Sequence, residues 1–225
     1  MLVDILLQIK KPEKPLEYLG YLEKIHGWVN KVLGNNHYGK MMNDYVYTPL
    51  MTDNSYDYHY GSSGIEFKND PFMLIRVDDE KVNLSESLIN IGKNPIIFDD
   101  LSITGVNLLK VNTTKKTYKT PFCSPTRMGQ HWKYVDSFGS EWMGKVENYL
   151  KECVLQKAKE GNFEINEDFS IKVIREERHC DYMYRNQLIK GYNFVVKINA
   201  PQNVKEFILS QGLGRSNGIG LGFLM

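Results

Sequence analysis

Cysteine is scarce and scattered. Cys123, Cys153 and Cys180 are the only three, an odd number without a Cys-x2-Cys pair. Neither a disulfide framework nor a zinc ribbon is therefore expected, and a reducing cytoplasm is the simplest setting. The five histidines show no His-x3-His spacing, so no metal and no other cofactor is expected. No apolar run approaches the ~18 residues of a membrane span, which argues against a membrane partner. The opening stretch Met1 to Ile9 lacks a basic leader and carries Asp4 inside its apolar run; it reads as a buried strand rather than a signal peptide. Net charge is small, +1 over 225 residues, but it is unevenly placed: −5 over residues 1–109 and +6 over residues 110–225. Such a split points to a polyanion-binding face in the second half.

Glycine, by contrast, is concentrated at the end. Five glycines fall between Gly212 and Gly222, in Gly-Leu-Gly-Arg-Ser-Asn-Gly-Ile-Gly-Leu-Gly. Such a run can turn its N–H groups outward as an anion-binding concavity. It is not a dinucleotide or phosphate-loop fingerprint. Those motifs follow a strand and open a helix, whereas this run follows a helical pattern and precedes only Phe223, Leu224 and Met225.

A hydrophobic content of 42% and a charged content of 24% are ordinary for a globular protein, and the length allows two units of about 110 residues. Leu2 to Ile9 reads as a strand. Leu16, Leu19, Leu22, Ile25, Val29, Val32 and Leu33 recur at helical steps, with Pro15 in the first turn and Gly34 as the stop. Tyr45 to Thr48 is β-prone, and Asp53 to Gly64 reads as a loop or hairpin. Phe72 to Val77 is a strand, Leu84 to Ile91 a short helix capped by Asn83 or Ser85, and Leu101 to Val111 a strand. This is the βαββαβ order of a ferredoxin-like unit. The second half repeats it. Tyr118 to Cys123 is a strand, Ser140 to Gly161 a helix, and Phe169 to Arg178 and Tyr192 to Ile198 are strands joined by a polar connection, Arg178 to Lys190. Asn203 to Gln211 is a helix, and Gly220 to Met225 fits a last short strand. The expected fold is therefore α+β, two tandem ferredoxin-like (RRM-like) units at residues 1–112 and 113–225.

A glycine-rich loop between the last helix and last strand of two such units resembles the RAMP superfamily of CRISPR-associated RNA-binding proteins. Gly212-Leu213-Gly214 through Gly220-Leu221-Gly222-Phe223 is similar to its repeat-RNA processing endoribonuclease branch. Trp28 to Leu33 resembles the helix before that family's catalytic histidine, and His37-Tyr38-Gly39 the start of its catalytic loop. Tyr45-Val46-Tyr47-Thr48-Pro49-Leu50 is similar to the strand that follows, and Ser124-Pro125 to the opening of the second unit.

The resemblance implies metal-independent cleavage of CRISPR precursor RNA within its repeats, by attack of a ribose 2′-hydroxyl on the adjacent phosphate. The products would be a 2′,3′-cyclic phosphate and a 5′-hydroxyl. Such a step needs a base, an acid and positive charge on the phosphorane, and histidine suits either proton role. His37 is the residue carried over as acid or base. Lys40 is the nearest cation. Where relatives often have a tyrosine in the preceding helix this chain has Asn30, so either Tyr38 substitutes or the tyrosine role is missing. His26, on the apolar stripe of that helix, is the alternative catalyst; its plain reading is a satisfied core histidine. For RNA, Gly212, Gly214, Arg215, Ser216, Asn217, Gly218 and Gly220 form the loop, and Lys115, Lys116, Lys119 and Arg127 supply charge for phosphate. The expected partners are CRISPR repeat RNA, a CRISPR effector complex and a second copy of the chain. Two rivals stand beside this reading: a non-catalytic RNA-binding subunit of an effector complex, and a ferredoxin-like protein-interaction module.

Overall fold

A computed structural model describes residues 1–17, 20–34, 42–53, 58–61, 64–123, 140–166, 168–185, 187–214 and 217–225. In chain order its elements are β1 (Leu2–Ile9), α1 (Tyr21–Leu33), β2 (Tyr45–Tyr47), β3 (Tyr58–Gly61), β4 (Gly64–Phe67), β5 (Phe72–Asp78), α2 (Leu84–Lys93), β6 (Ile96–Phe98) and β7 (Leu101–Lys110). There follow β8 (Thr117–Cys123), α3 (Ser140–Glu160), β9 (Ser170–Tyr184), β10 (Gln187–Asn199), α4 (Gln202–Gln211) and a 3-10 turn at Asn217–Ile219.

The first sheet has the order β2-β5-β1-β7-β6, with every neighbour antiparallel. The first strand lies at the centre because alternate residues bury on both of its faces. Val3, Ile5, Leu7 and Ile9 pack into one core with Leu22, Ile25, Val29 and Val32 of α1. Each such aliphatic side chain contributes roughly 1.5–3 kcal/mol when fully buried. Leu2, on the opposite face, joins the core of the second unit. α2 starts where Asn83 accepts a hydrogen bond from the N–H of Glu86 at 3.1 Å, a side-chain cap.

The second sheet runs β8-β10-β9. Beyond β8, the N–H of Met225 donates to Lys119 O at 2.8 Å and the N–H of Lys119 to Met225 O at 3.1 Å. The chain terminus thus sits where the fourth strand of a ferredoxin-like unit belongs. α3 and α4 cover the inner face with Val146, Leu150, Val154, Val204, Phe207 and Ile208. The chain is α+β, with two tandem ferredoxin-like units. No helix among the described residues is long and apolar enough to cross a membrane.

Some expectations change and others are sharpened. The first helix starts at Tyr21, not Leu16, because Leu16 is drawn into two backbone hydrogen bonds with Ile65 and Gly20 turns left-handed at φ 87°. The loop-or-hairpin stretch resolves into the β3–β4 hairpin, and a short strand, β6, precedes β7. The polar connection from Arg178 to Lys190 is instead largely strand: β9 runs on to Tyr184, β10 starts at Gln187, and the two pair from Asn199↔Ser170 to Gln187↔Tyr184 with two register shifts. The last residues, Gly220 to Met225, form one paired contact rather than a regular strand.

Candidate functional site

The long β9–β10 hairpin reaches back to the first unit. At its tip Tyr184 and Ile189 enter the core beneath α1, and the N–H of Arg185 donates to the Glu23 carboxylate. Tyr184 packs edge-on to the His26 ring, with centroids 6.1 Å apart. Burial raises the Tyr184 phenol above its ordinary pKa, with Arg185 acting in the opposite direction.

His26 is buried. Its Nδ1 lies 3.1 Å from the Tyr47 hydroxyl, and its Nε2 lies 3.0 Å from Asn30 Nδ2. Both ring nitrogens are thereby engaged by protein side chains. Burial drives the Tyr47 phenol well above its ordinary pKa, with Tyr45 and Tyr184 adding to the rise, so Tyr47 stays un-ionised. The Tyr45 hydroxyl lies 2.6 Å from the Asn30 carboxamide and 2.8 Å from Gly34 O, to which it can donate. This chain of polar groups ends at the last residue before the 35–41 stretch. Asn30 is thereby linked to a tyrosine on the next strand. A cleft of about 370 Å³ opens alongside, lined by Lys31, Gly34, Asp44, Tyr45, Lys81 and Asn83 among others. It flanks both ends of that stretch.

The glycine-rich run packs against this same region: its 3-10 turn contacts β2 and α1. A Cβ on Gly220 would come within 2.8 Å of the Tyr47 ring, so only glycine lets the loop lie on that tyrosine. Gly222, at φ 74°, would place a Cβ 1.9 Å from Leu213 O, where the two ends of the run cross backbone to backbone. The N–H of Leu213 donates to Gly222 O across this crossing at 2.8 Å.

Asn217 fastens the run from inside. It is 3% exposed, and its Nδ2 donates to Leu213 O and Leu221 O, both at 2.8 Å. Lys157 of α3, 1% exposed, donates to Asn217 Oδ1 at 2.5 Å, Gly212 O at 2.8 Å and Gln211 O at 3.1 Å. The Asn217 side chain is therefore spent on the loop's own shape instead of turning outward to phosphate or bases, which corrects the donor role expected of it. Gly212, Gly214, Gly218 and Gly220 are buried too; they set the path of the loop rather than its outer surface.

Lys115, Lys116 and Lys119 are exposed. Lys119 pairs across the sheet with Val195, which pairs in turn with Arg175, and Lys197 pairs with Lys172. The open face of the second sheet thus carries Lys119, Lys172, Arg175 and Lys197. Glu147 balances Lys172 at 2.9 Å. Lys172 and Lys197 were legible in the alternation of their strands but not singled out. His37, Tyr38, Lys40, Arg127, Arg215 and Ser216, with Ser124-Pro125, lie outside the described residues. Lys157, Gln211 and Tyr45 are polar residues of the site that sequence reasoning missed. Lys157 lies on the same helical stripe as Val146, Leu150 and Val154, and a lysine on a buried stripe was the available signal.

Among solved structures, the chain is similar to a RAMP protein binding different RNA substrates, with TM-score 0.70, 17% identity, and 100% of this chain and 98% of that one covered. It is also similar to the product of a Cas6-related gene from Pyrococcus furiosus, with TM-score 0.69, 17% identity, and 100% and 97% covered. A third is Cse3 of Thermus thermophilus bound to an RNA representing a pre-cleavage complex, with TM-score 0.59, 9% identity, and 100% and 98% covered. At these identities the likeness is one of fold. No curated protein matches the sequence. The model of the family described as CRISPR associated protein Cas6, C-terminal, matches residues 93–225, more than half of the chain. With its two ferredoxin-like units and closing glycine-rich run, this chain belongs to the CRISPR-associated Cas6 family.

Proposed function

We propose that this protein is a metal-independent endoribonuclease that cuts CRISPR precursor RNA within its repeats. The ribose 2′-hydroxyl attacks the adjacent phosphate, leaving 2′,3′-cyclic phosphate and 5′-hydroxyl ends. The first unit, residues 1–112, carries the chemistry. His37 transfers a proton at the 2′-hydroxyl or the leaving 5′-oxygen, Lys40 neutralises charge on the phosphorane, and Tyr38 lies between them in sequence. His26 is assigned to the support of this loop, because both of its ring nitrogens are already engaged. The second unit, residues 113–225, grips the RNA through Arg215 and Ser216, and through the phosphate contacts of Lys115, Lys116, Lys119 and Arg127. Cleaved RNA then passes to an effector complex.

The observation that carries this reading is the packing of the glycine-rich run on α1 and β2, the two elements that bracket residues 35–41. That packing supports a reading in which grip and chemistry lie near one another, although some 175 residues separate His37 from the run. The test is incubation of the protein with repeat RNA in EDTA, wild type beside His37→Ala and His26→Ala. The reading expects cleavage by wild type, and loss of about 10²-fold or more in His37→Ala, the usual worth of a general acid or base. RNA binding without cleavage by wild type selects a non-catalytic subunit instead. Loss only in His26→Ala moves the chemistry to His26, and absence of salt-dependent RNA binding removes the RNA role.

A further inference from the structure

Buried polar side chains are costly unless their polar atoms are paired, so a line of them between two units marks a constraint that apolar packing would not supply. Such a line runs from α3 to the edge of the candidate active site. Lys157 holds the carbonyls of Gln211 and Gly212 at the end of α4, together with the Asn217 side chain. Gln211, itself 1% exposed, turns its carboxamide onto the backbone of Asn43. Its Oε1 accepts from Asn43 N–H at 2.9 Å, and its Nε2 donates to Asn43 O at 2.9 Å. One side chain thus clasps both backbone polar groups of a residue 168 positions away. Asn43 is 5% exposed and lies six residues after His37 and two before β2. The end of α3 presses on the same place: a Cβ on Gly161 would meet the Met42 methyl at 2.5 Å.

We propose that Gln211 is a positioning residue for RNA cleavage. It fixes the downstream end of the catalytic stretch and, through the Lys157 bonds to its own carbonyl and to Asn217, ties that end to the shape of the RNA-gripping run. The upstream end is held separately, by Tyr45 at Gly34. Gln211 is too deeply buried to touch RNA and acts through Asn43. This inference rests on the endoribonuclease reading above.

Gln211→Leu keeps bulk and burial but removes both bonds to Asn43. The experiment measures single-turnover cleavage of repeat RNA at saturating protein. Alongside, it measures the Kd for the same repeat with a 2′-deoxy nucleotide at the cut site, which binds but cannot react. The expected result is a rate at least ~10-fold lower, the scale of a lost orientation effect, with Kd within about 3-fold of wild type. An unchanged rate, or rate and Kd declining in proportion, overturns the inference. Gln211→Glu supplies a second readout, taken where circular dichroism shows the variant folded across the pH range. A protonated carboxyl offers one donor and one acceptor, as the amide does; the carboxylate offers no donor, and burial raises its pKa. The ratio of its rate to the wild-type rate should therefore rise as pH falls from about 8 to about 5.5, and a flat ratio overturns the inference. A wild type that binds but never cleaves removes the endoribonuclease reading and the inference with it. A wild type that cleaves beside an equally active Gln211→Leu removes the inference alone.

Discussion

Replacing Arg76 by leucine takes a cation out of the boundary between the two units. Arg76 on β5 faces Asp4 on β1 across the sheet. Its Nε and Nη2 each donate to one carboxylate oxygen at 2.7 Å, and its Nη1 donates to Leu224 O at 2.8 Å. The guanidinium also stacks on Phe223, 4.4 Å from the ring centroid. The side chains are 3% and 12% exposed, so the Asp4 carboxylate left behind gains little from water. Breaking one member of such a pair costs about 3–5 kcal/mol, mostly for the stranded charge. Removing both charges in Asp4→Leu/Arg76→Leu strands only the Leu224 carbonyl, a cost of about 1–3 kcal/mol. The pair should therefore couple by at least ~2 kcal/mol in a double-mutant cycle, read from urea unfolding by circular dichroism. The tail Phe223 to Met225 loses both its hydrogen bond and its stacking partner, so carboxypeptidase should release Met225 faster from Arg76→Leu than from wild type. A single-variant cost below about 1 kcal/mol, or additive single variants, would refute the claim that this ion pair clasps the terminus to the first sheet.

Three further outcomes follow from the packing of the site. Asn217→Ala deprives two backbone carbonyls of a donor and Lys157 of an acceptor; it should cost about 2–4 kcal/mol in urea unfolding, whereas a cost near zero would mean that water replaces the side chain. Gly222→Ala should abolish soluble folding, because its Cβ would lie 1.9 Å from Leu213 O at a left-handed φ. Gly92→Ala, in α2 with nothing within 4 Å, should stabilise by about 0.5–1 kcal/mol; equal effects from the two glycine variants would contradict the crossing described. Tyr47 binds its proton more tightly folded than unfolded. Stability should therefore be fully present below pH 10.0, the unfolded value, and fall as pH rises beyond it. Tyr47→Phe should flatten that fall, and an unchanged alkaline slope would place the titration elsewhere.

The parts legible in the sequence were those whose burial is periodic. The alternation in Leu2 to Ile9 and the stripe through Leu22, Ile25, Val29 and Val32 place β1 and α1 because each pattern faces one core. The stripe could not fix the helix start, since Leu16 is apolar for another reason: it pairs with Ile65 in a bridge. The β9–β10 hairpin was hidden because much of Arg178 to Lys190 is polar, and two strands paired mainly to each other need no apolar alternation. The position of the glycine-rich run was readable, but its interior was not. Whether Asn217 faces phosphate or its own loop depends on Lys157, which lies 60 residues earlier on α3. The Gln211 clasp on Asn43 is equally beyond local pattern, as it joins two residues that become neighbours only when the units dock.

The central claim is that this chain cuts repeat RNA by 2′-hydroxyl attack with His37 as proton carrier. Its most direct test is mass analysis of the 3′ ends formed from repeat RNA in EDTA by wild type and by His37→Ala. The account predicts 2′,3′-cyclic phosphate at a single position from wild type and a rate about 10²-fold or more lower from the variant. Cleavage by His37→Ala at the wild-type rate, or a reaction that EDTA stops, would contradict it.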